Sequence, residues 1–170
     1  PIGVTNVLAK AAKNNNAKII EKCFVKKILT KNKKIAGVET NKGKIECEYV
    51  VLASGMWSRQ IAAELNVSVP LYPVEHFYIL TESIDKLDKA LPVLRDYNHC
   101  LYIKEDAGKF LVGAFEPWGK AISIDKLPQN SAFIELPEDW DHFELPYTKA
   151  MELLDPLKNI GISKFFNGPE

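Results

Sequence analysis

The sequence has no cysteine pair. Cys23, Cys47 and Cys100 are odd in number, widely separated and never in Cys-x-x-Cys spacing. A disulfide framework is excluded, and reduced, buried thiols in a reducing compartment are expected. His76, His99 and His142 are equally dispersed. His99 and Cys100 adjoin, but neighbours on a strand point to opposite faces, so no metal site is expected. Neither sign of charge is in excess: 22 Lys and Arg stand against 22 Asp and Glu. That balance gives no support for a nucleic-acid partner. No run approaches the ~20 apolar residues that cross a bilayer, and residues 1–13 lack the apolar core of a secretory signal. A membrane is therefore not an expected partner. Internal repeats and low-complexity tracts are missing. So is the Gly-x-Gly-x-x-Gly that cradles a pyrophosphate. The chain starts on Pro rather than Met and ends on Asn167-Gly168-Pro169-Glu170, which has turn chemistry. A piece of a longer protein is expected.

What is present is the composition of a soluble globular protein, 46% hydrophobic and 26% charged, with room for one large domain or two lobes. The run Tyr49 to Trp57 carries a short apolar strand into small residues and then a helix. In open α/β proteins such a junction presents the carboxyl edge of a sheet to a ligand. Continuous apolarity predicts that Tyr49–Ala53 is a central strand covered on both faces. Before it, Val4, Leu8, Ala11 and Ala12 form a helical stripe. Lys18–Lys22 reads as a strand. Phe24–Thr30, Ile35–Thr40 and Lys44–Cys47 read as strands joined by turns at Asn32-Lys33-Lys34 and Asn41-Lys42-Gly43. Ser58–Leu65 reads as a helix, and Pro70 and Pro73 mark a crossing between lobes.

Beyond the crossing the pattern alternates. Val74, His76, Tyr78 and Leu80 share one strand face, and Glu75, Phe77, Ile79 and Thr81 the other. Leu91–Asp96, Cys100–Glu105 and Lys109–Phe115 continue the sheet, with Asp106-Ala107-Gly108 as a hairpin turn. Residues 120–129 read as a surface connection. Asp139–Leu154 reads as a helix broken at Pro146. Glu138, Asp139, Asp141 and Glu144 read as a solvated, helix-capping cluster rather than paired catalytic carboxylates. Lys26-Lys27 and Lys33-Lys34 read as solvated turn charges. Phe165-Phe166 are expected to return the chain to the first lobe.

Several segments, in order, resemble one family: Val50–Trp57, Pro73–Glu82, Leu91–Asp96, Leu101–Glu105, Val112–Pro117, Leu136–Phe143 and Phe166–Glu170. The chain is similar to the middle of FAD-dependent amine oxidoreductases of the D-amino-acid-oxidase-like superfamily, in the branch of dimethylglycine and sarcosine dehydrogenases. The segment through His76 and the Leu-Pro-Glu-Asp-Trp-Asp-His-Phe run are the specific parts. The resemblance implies an α/β (α+β) fold: part of a glutathione-reductase-like FAD-binding lobe over 1–70, an antiparallel-sheet substrate lobe over 71–164, and the return over 165–170. It implies oxidation of a small N-methylated amino acid, with hydride passing to flavin N5. It places His76 at the family's active-site histidine and Tyr102 facing flavin and substrate. Tyr78 would line the pocket. Val25, Ala53, Ser54, Gly55 and Trp57 would pass the FAD, although packing is the plainer reading for the Trp57 side chain. Covalent flavin attachment and a tetrahydrofolate-binding part would lie outside this chain. Oxygen and an electron-transfer flavoprotein are alternative acceptors, and the bacterial cytoplasm or the mitochondrial matrix the expected place. The alternatives are a non-catalytic regulatory relative on the same scaffold and an inactive truncated product.

Overall fold

The computed structural model describes residues 2–127 and 133–170. The chain divides into two compact units, Pro1–Val69 and Pro70–Glu170.

The first unit opens on helix α1 (Ile2–Asn14). Strands β1 (Val25–Lys31), β2 (Lys34–Thr40) and β3 (Gly43–Glu46) follow as an antiparallel meander. Asn32 and Lys33 both take positive φ between the paired Lys31 and Lys34. That is the backbone of a two-residue turn whose twist matches the strands it joins. At the next hairpin Thr40 Oγ1 donates to the Gly43 carbonyl at 2.7 Å and accepts from the Lys42 N–H at 3.0 Å. A 3₁₀ turn at Gly55–Trp57 leads into α2 (Ser58–Ala63).

Two expectations fail in this unit. Lys18–Lys22 forms no strand, and neither does Tyr49–Ala53. Tyr49 and Val51 are 85% and 88% exposed rather than buried. A strand of a parallel sheet exists only through the ladders on its two sides, and no described segment pairs with this one. Its apolarity is real; the neighbours that would make it a central strand are not among the described residues.

The second unit is a five-stranded antiparallel sheet. Its strands are β4 (Glu75–Thr81), β5 (Leu94–Asp96), β6 (Leu101–Asp106), β7 (Lys109–Ala114) and β8 (Ile162–Pro169), in the order β5-β6-β7-β4-β8. Ala107 and Gly108 turn β6 into β7 with positive φ at both positions. Helix α3 (Trp140–Leu153) covers one face of the sheet. Asp139 caps it, accepting from the His142 N–H, and the Lys120 ammonium at 2.7 Å holds the Asp139 carboxyl below its usual range. Under α3, Phe77, Phe143 and Phe165 meet edge-on and tilted with ring centres 5.6–6.3 Å apart. Ile79, Leu101, Ile103, Val112 and Ala114 complete the core. The alternation read along residues 74–81 is observed: Phe77, Ile79 and Thr81 are buried, while His76, Tyr78 and Leu80 face the other way.

Three further expectations change. Pro146 sits inside α3 without breaking it. Its ring is buried and the helix is held on both sides by buried Phe143 and Ala150, so packing offsets one missing backbone bond. Residues 165–170 do not leave for the first unit. They run in or directly after β8, where Phe165 pairs with Ile79 and Gly168 with His76. The stretch expected as a surface connection is partly interior, since Ala121 bridges to Val74 and Ile122 and Leu127 are buried. Its last residues, Pro128 and Gln129, lie outside the described residues.

Candidate functional site

The face of the sheet opposite α3 carries the site. Cross-strand register fixes which side chains share it. Tyr102 pairs with Gly113, Gly113 with Tyr78, and Tyr78 with Phe166. Side chains directly opposite in an antiparallel ladder lie on the same face. That face therefore gathers Arg95 from β5, Tyr102 from β6, Gly113 from β7, His76 and Tyr78 from β4, and Phe166 from β8, with Phe115 just past the end of β7.

Tyr102 does not stand up from β6. It lies across β7 at Gly113, where a Cβ would overlap the phenol ring. Bare backbone at that position lets the hydroxyl reach His76, and Tyr102 Oη and His76 Nε2 are 2.9 Å apart. Phe115 stacks on the imidazole with ring centres 4.5 Å apart. On its other edge, His76 Nδ1 faces the Glu170 carboxylate at 3.5 Å. A cavity of about 180 Å³ opens beside the imidazole, lined by Val74, Phe115, Glu75, Glu116 and Glu170; the Glu75 carboxylate itself accepts from the Asn167 amide at 2.8 Å and lies 3.9 Å from the Lys120 ammonium. Glu116 is held from behind by His142 on α3, Nε2 to Oε1 at 2.7 Å, and its side chain is only 5% exposed.

Burial sets the protonation of the central pair. Desolvation lowers the His76 pKa from its ordinary value, against the opposing fields of Glu170 and Glu116. Desolvation, with Glu170 and Tyr78 adding to it, pushes the Tyr102 phenol up to about 12. At neutral pH the phenol keeps its proton and the imidazole is neutral. The tautomer with its hydrogen on Nδ1 satisfies both neighbours: Nε2 accepts from the phenol and Nδ1–H points at Glu170. A neutral imidazole between a hydroxyl and a carboxylate can take up a proton and pass it on.

Of the residues read from the sequence, His76 and Tyr102 are brought into hydrogen bond. Tyr78 shares their face but stacks on Phe166, with ring centres 4.5 Å apart. The residues read as passing the cofactor lie in the first unit. Val25 opens β1 and is 37% exposed. Ala53 is exposed, and Ser54 shares a hydrogen bond with Ser58, Oγ to Oγ at 2.9 Å. Gly55 has φ +54° with nothing within 4 Å of a Cβ built on it, so the chain there is open to close approach. Trp57 is 44% exposed, against its reading as a packing residue. Of residues 53–55 Gly55 alone is left-handed; Ser54 has φ −97° and is half-buried. Among the described residues no group of His, Cys, Asp and Glu is placed to hold a metal ion.

Sequence reasoning passed over Gly113, Phe115, Arg95 and the Glu116–His142 pair. Only Gly113 left a signal, as an isolated glycine inside an apolar strand, which marks a close approach.

The comparisons with known proteins agree with this layout. The chain is 38% identical to 4-methylaminobutanoate oxidase (formaldehyde-forming) of Paenarthrobacter nicotinovorans, across 100% of the chain and 20% of the relative. It is 36% identical to the mitochondrial pyruvate dehydrogenase phosphatase regulatory subunit of Mus musculus, over 98% of the chain and 19% of the relative. It is 30% identical to mitochondrial sarcosine dehydrogenase of Homo sapiens, over 100% and 19%. The chain thus spans about a fifth of the length of the relatives it matches. L-proline dehydrogenase from P. horikoshii shares the fold over 99% of this chain and 43% of its own, with TM-score 0.76 at 23% identity. The FAD dependent oxidoreductase (DAO) family model matches residues 1–168, and the chain belongs to that family.

Proposed function

We propose that the protein to which this chain belongs oxidises a small N-methylated amino acid, dimethylglycine or sarcosine, and that the sheet face described above roofs the reacting amine. The observation that carries this reading is the His76–Tyr102 hydrogen bond beside a carboxylate-lined cavity. An N-methyl amino acid arrives as an ammonium ion, and its carbon–hydrogen bond gives up hydride only once the nitrogen has a free electron pair. The carboxylates of Glu170 and Glu116, whose fields reach the imidazole, favour the incoming cation. The Tyr102 hydroxyl takes the ammonium proton as it passes its own to His76 Nε2, which leaves the amine neutral, keeps the phenol protonated and forms an imidazolium facing Glu170. Phe115 and Tyr102 keep water from one side of the ring. FAD, when bound, supplies the hydride acceptor, and the product side is an iminium. Residues 53–55 and Val25 would lie along the dinucleotide. Covalent flavin attachment, a folate-binding part, a choice between oxygen and an electron-transfer flavoprotein, and a cytoplasmic or mitochondrial location belong to the same reading.

A second reading is favoured by the 36% identity to a regulatory subunit: the scaffold persists without turnover. The full-length protein separates the two. Its flavin absorbance is followed anaerobically on addition of dimethylglycine or sarcosine. Bleaching supports the dehydrogenase, and a flavin that no N-methyl amino acid reduces favours the regulatory scaffold.

A further inference from the structure

The Glu116–His142 pair reaches the site from the other side of the sheet. Alternation continues past the end of β7. Ala114 is buried in the core under α3, Phe115 stacks on the His76 imidazole, and Glu116 turns back to meet His142 on α3. A carboxylate only accepts, so the hydrogen between them sits on His142 Nε2. His142 is itself fixed twice. Its backbone N–H is taken by Asp139, the cap of α3, and its ring lies against buried Phe77 with centres 4.9 Å apart. His76 and Phe77 are neighbours on β4 and point to opposite faces. The two imidazoles therefore stand on opposite sides of one strand, and Glu116 touches one and lines the cavity beside the other.

The other charged and titratable groups around His76 are differently placed. Tyr102 on β6 bonds to its Nε2. Glu170 lies 3.5 Å from Nδ1 but is 62% exposed, so water and salt screen it. Glu75 is held by Asn167 and lies near Lys120, which is paired with Asp139 at 2.7 Å. Arg95 on β5 rests against the rings of Phe115, Tyr97 and Tyr102, 5.3–5.8 Å from their centres. Of the three carboxylates that line the cavity, Glu116 is the most buried. A charge at that depth persists only while a donor faces it; without one the group takes up a proton or turns out to water. We propose that His142 is a positioning residue of the site: by donating Nε2–H to Glu116 it keeps a negative charge in the cavity wall, where that charge supports the imidazolium formed at His76. The proposal rests on the reading that His76 gains a proton during amine oxidation. It adds that α3, on the far side of the sheet, takes part in that step.

The test uses the full-length holoenzyme with Glu116→Gln, His142→Phe, His142→Gln and, as a control on the same helix, Tyr147→Phe, which removes the bond from Tyr147 Oη to the Leu157 carbonyl. Two readouts are taken across pH 5–9. One is flavin reduction by sarcosine. The other is carbethoxylation of His76 by diethyl pyrocarbonate, which attacks only the neutral imidazole and is read by peptide mass spectrometry without turnover. Glu116→Gln keeps an oxygen for His142 and loses only the charge. On the acid limb it should label His76 roughly threefold faster than wild type, the effect of one carboxylate field at several ångströms, and the reduction limb should move to lower pH. The difference should persist in about 1 M salt, because a buried charge is little screened. His142→Phe keeps a ring against Phe77 but has no donor, and should change both profiles in the same direction. His142→Gln restores an N–H and should return them toward wild type. Tyr147→Phe should match wild type. A wild-type labelling profile in Glu116→Gln or in His142→Phe, a difference that vanishes in salt, or the same change in Tyr147→Phe would each overturn the proposal. If the wild-type enzyme is reduced by no amine, the functional reading falls, and the labelling profile alone decides the role of His142.

Discussion

Tyr102 lies flat across Gly113, and a methyl group at residue 113 would occupy the space of the phenol ring. The side chain that must yield is a ring tip on an open face, so the fold has room to let it swing out. Gly113→Ala should therefore separate Tyr102 from His76 with little cost to folding. In the full-length enzyme, flavin reduction should slow about tenfold, the equivalent of one hydrogen bond near 1.4 kcal/mol. A thermal unfolding scan of the 170-residue chain should move by only a few degrees. Unchanged reduction kinetics in Gly113→Ala would mean that the His76–Tyr102 contact does not matter to turnover.

The pair also sets a pH dependence. Burial lowers the His76 pKa; in the favoured tautomer the phenol also donates to Nε2, a bond that only the imidazole unprotonated at Nε2 can accept and that therefore favours the neutral form. Tyr102→Phe should shift the limb assigned to His76 toward higher pH and slow flavin reduction by at least about tenfold, since the hydroxyl that passes the proton is lost while the ring's packing is kept. His76→Ala should slow it by roughly 10²–10⁴-fold and remove the limb, with FAD content unchanged. Stopped-flow absorbance across pH 5–9 reads all three quantities. A Tyr102→Phe limb shifted toward lower pH would reverse the donor and acceptor assigned here.

How much of this was legible differs by residue, for physical reasons. The two faces of residues 74–81 could be read because side chains alternate along a strand whatever its partners. The meeting of Tyr102 with His76 could not be read from periodicity, because it depends on the register of β6 on β7 and on β7 having no side chain at residue 113. Their place in a site came through family resemblance. Arg95 was passed over because two of the three rings around it, Tyr102 and Phe115, come from other stretches of chain. Tyr49–Ala53 misled in the opposite sense, since composition shows that a strand wants neighbours but does not supply them. Pro146 was judged on its missing N–H alone, when burial of the ring decides whether the helix continues.

Folding stability should carry the signatures of both groups in opposite pH ranges. The folded-state pKa of His76 lies below 6.5, so between the two values the unfolded chain binds more protons. Stability from this source is complete above about pH 6.5 and falls as pH drops through that window. Tyr102 works the other way, because its pKa is raised from 10.0 to about 12. Its contribution is complete below pH 10 and is lost as pH rises toward 12. Urea unfolding of the chain at closely spaced pH should show both slopes. His76→Gln should flatten the acid one and Tyr102→Phe the alkaline one. Unaltered slopes in these variants would mean that burial of the pair is not what perturbs it.

The chain by itself should bind FAD weakly. It has no Gly-x-Gly-x-x-Gly and so lacks the turn whose amides grip a pyrophosphate, where much of a dinucleotide's affinity arises. The first unit also leaves Ile2, Val4, Val7 and Leu8 of α1 exposed, along with Val51 and Trp57. Apolar area of this extent has no cover among the described residues. It should bind a hydrophobic dye and lower the solubility of the 170-residue chain. What 53–55 can offer alone is backbone that a cofactor passes, with Gly55 in a left-handed conformation that other residues adopt at a cost. Calorimetric titration of the purified chain should therefore give a dissociation constant no tighter than the micromolar range, about −8 kcal/mol. Gly55→Val in the full-length protein should lower FAD content while leaving unit 2 intact by its near-ultraviolet spectrum. Tight one-to-one binding by the isolated chain would show that these 170 residues already hold the grip assigned here to a glycine-rich turn outside them.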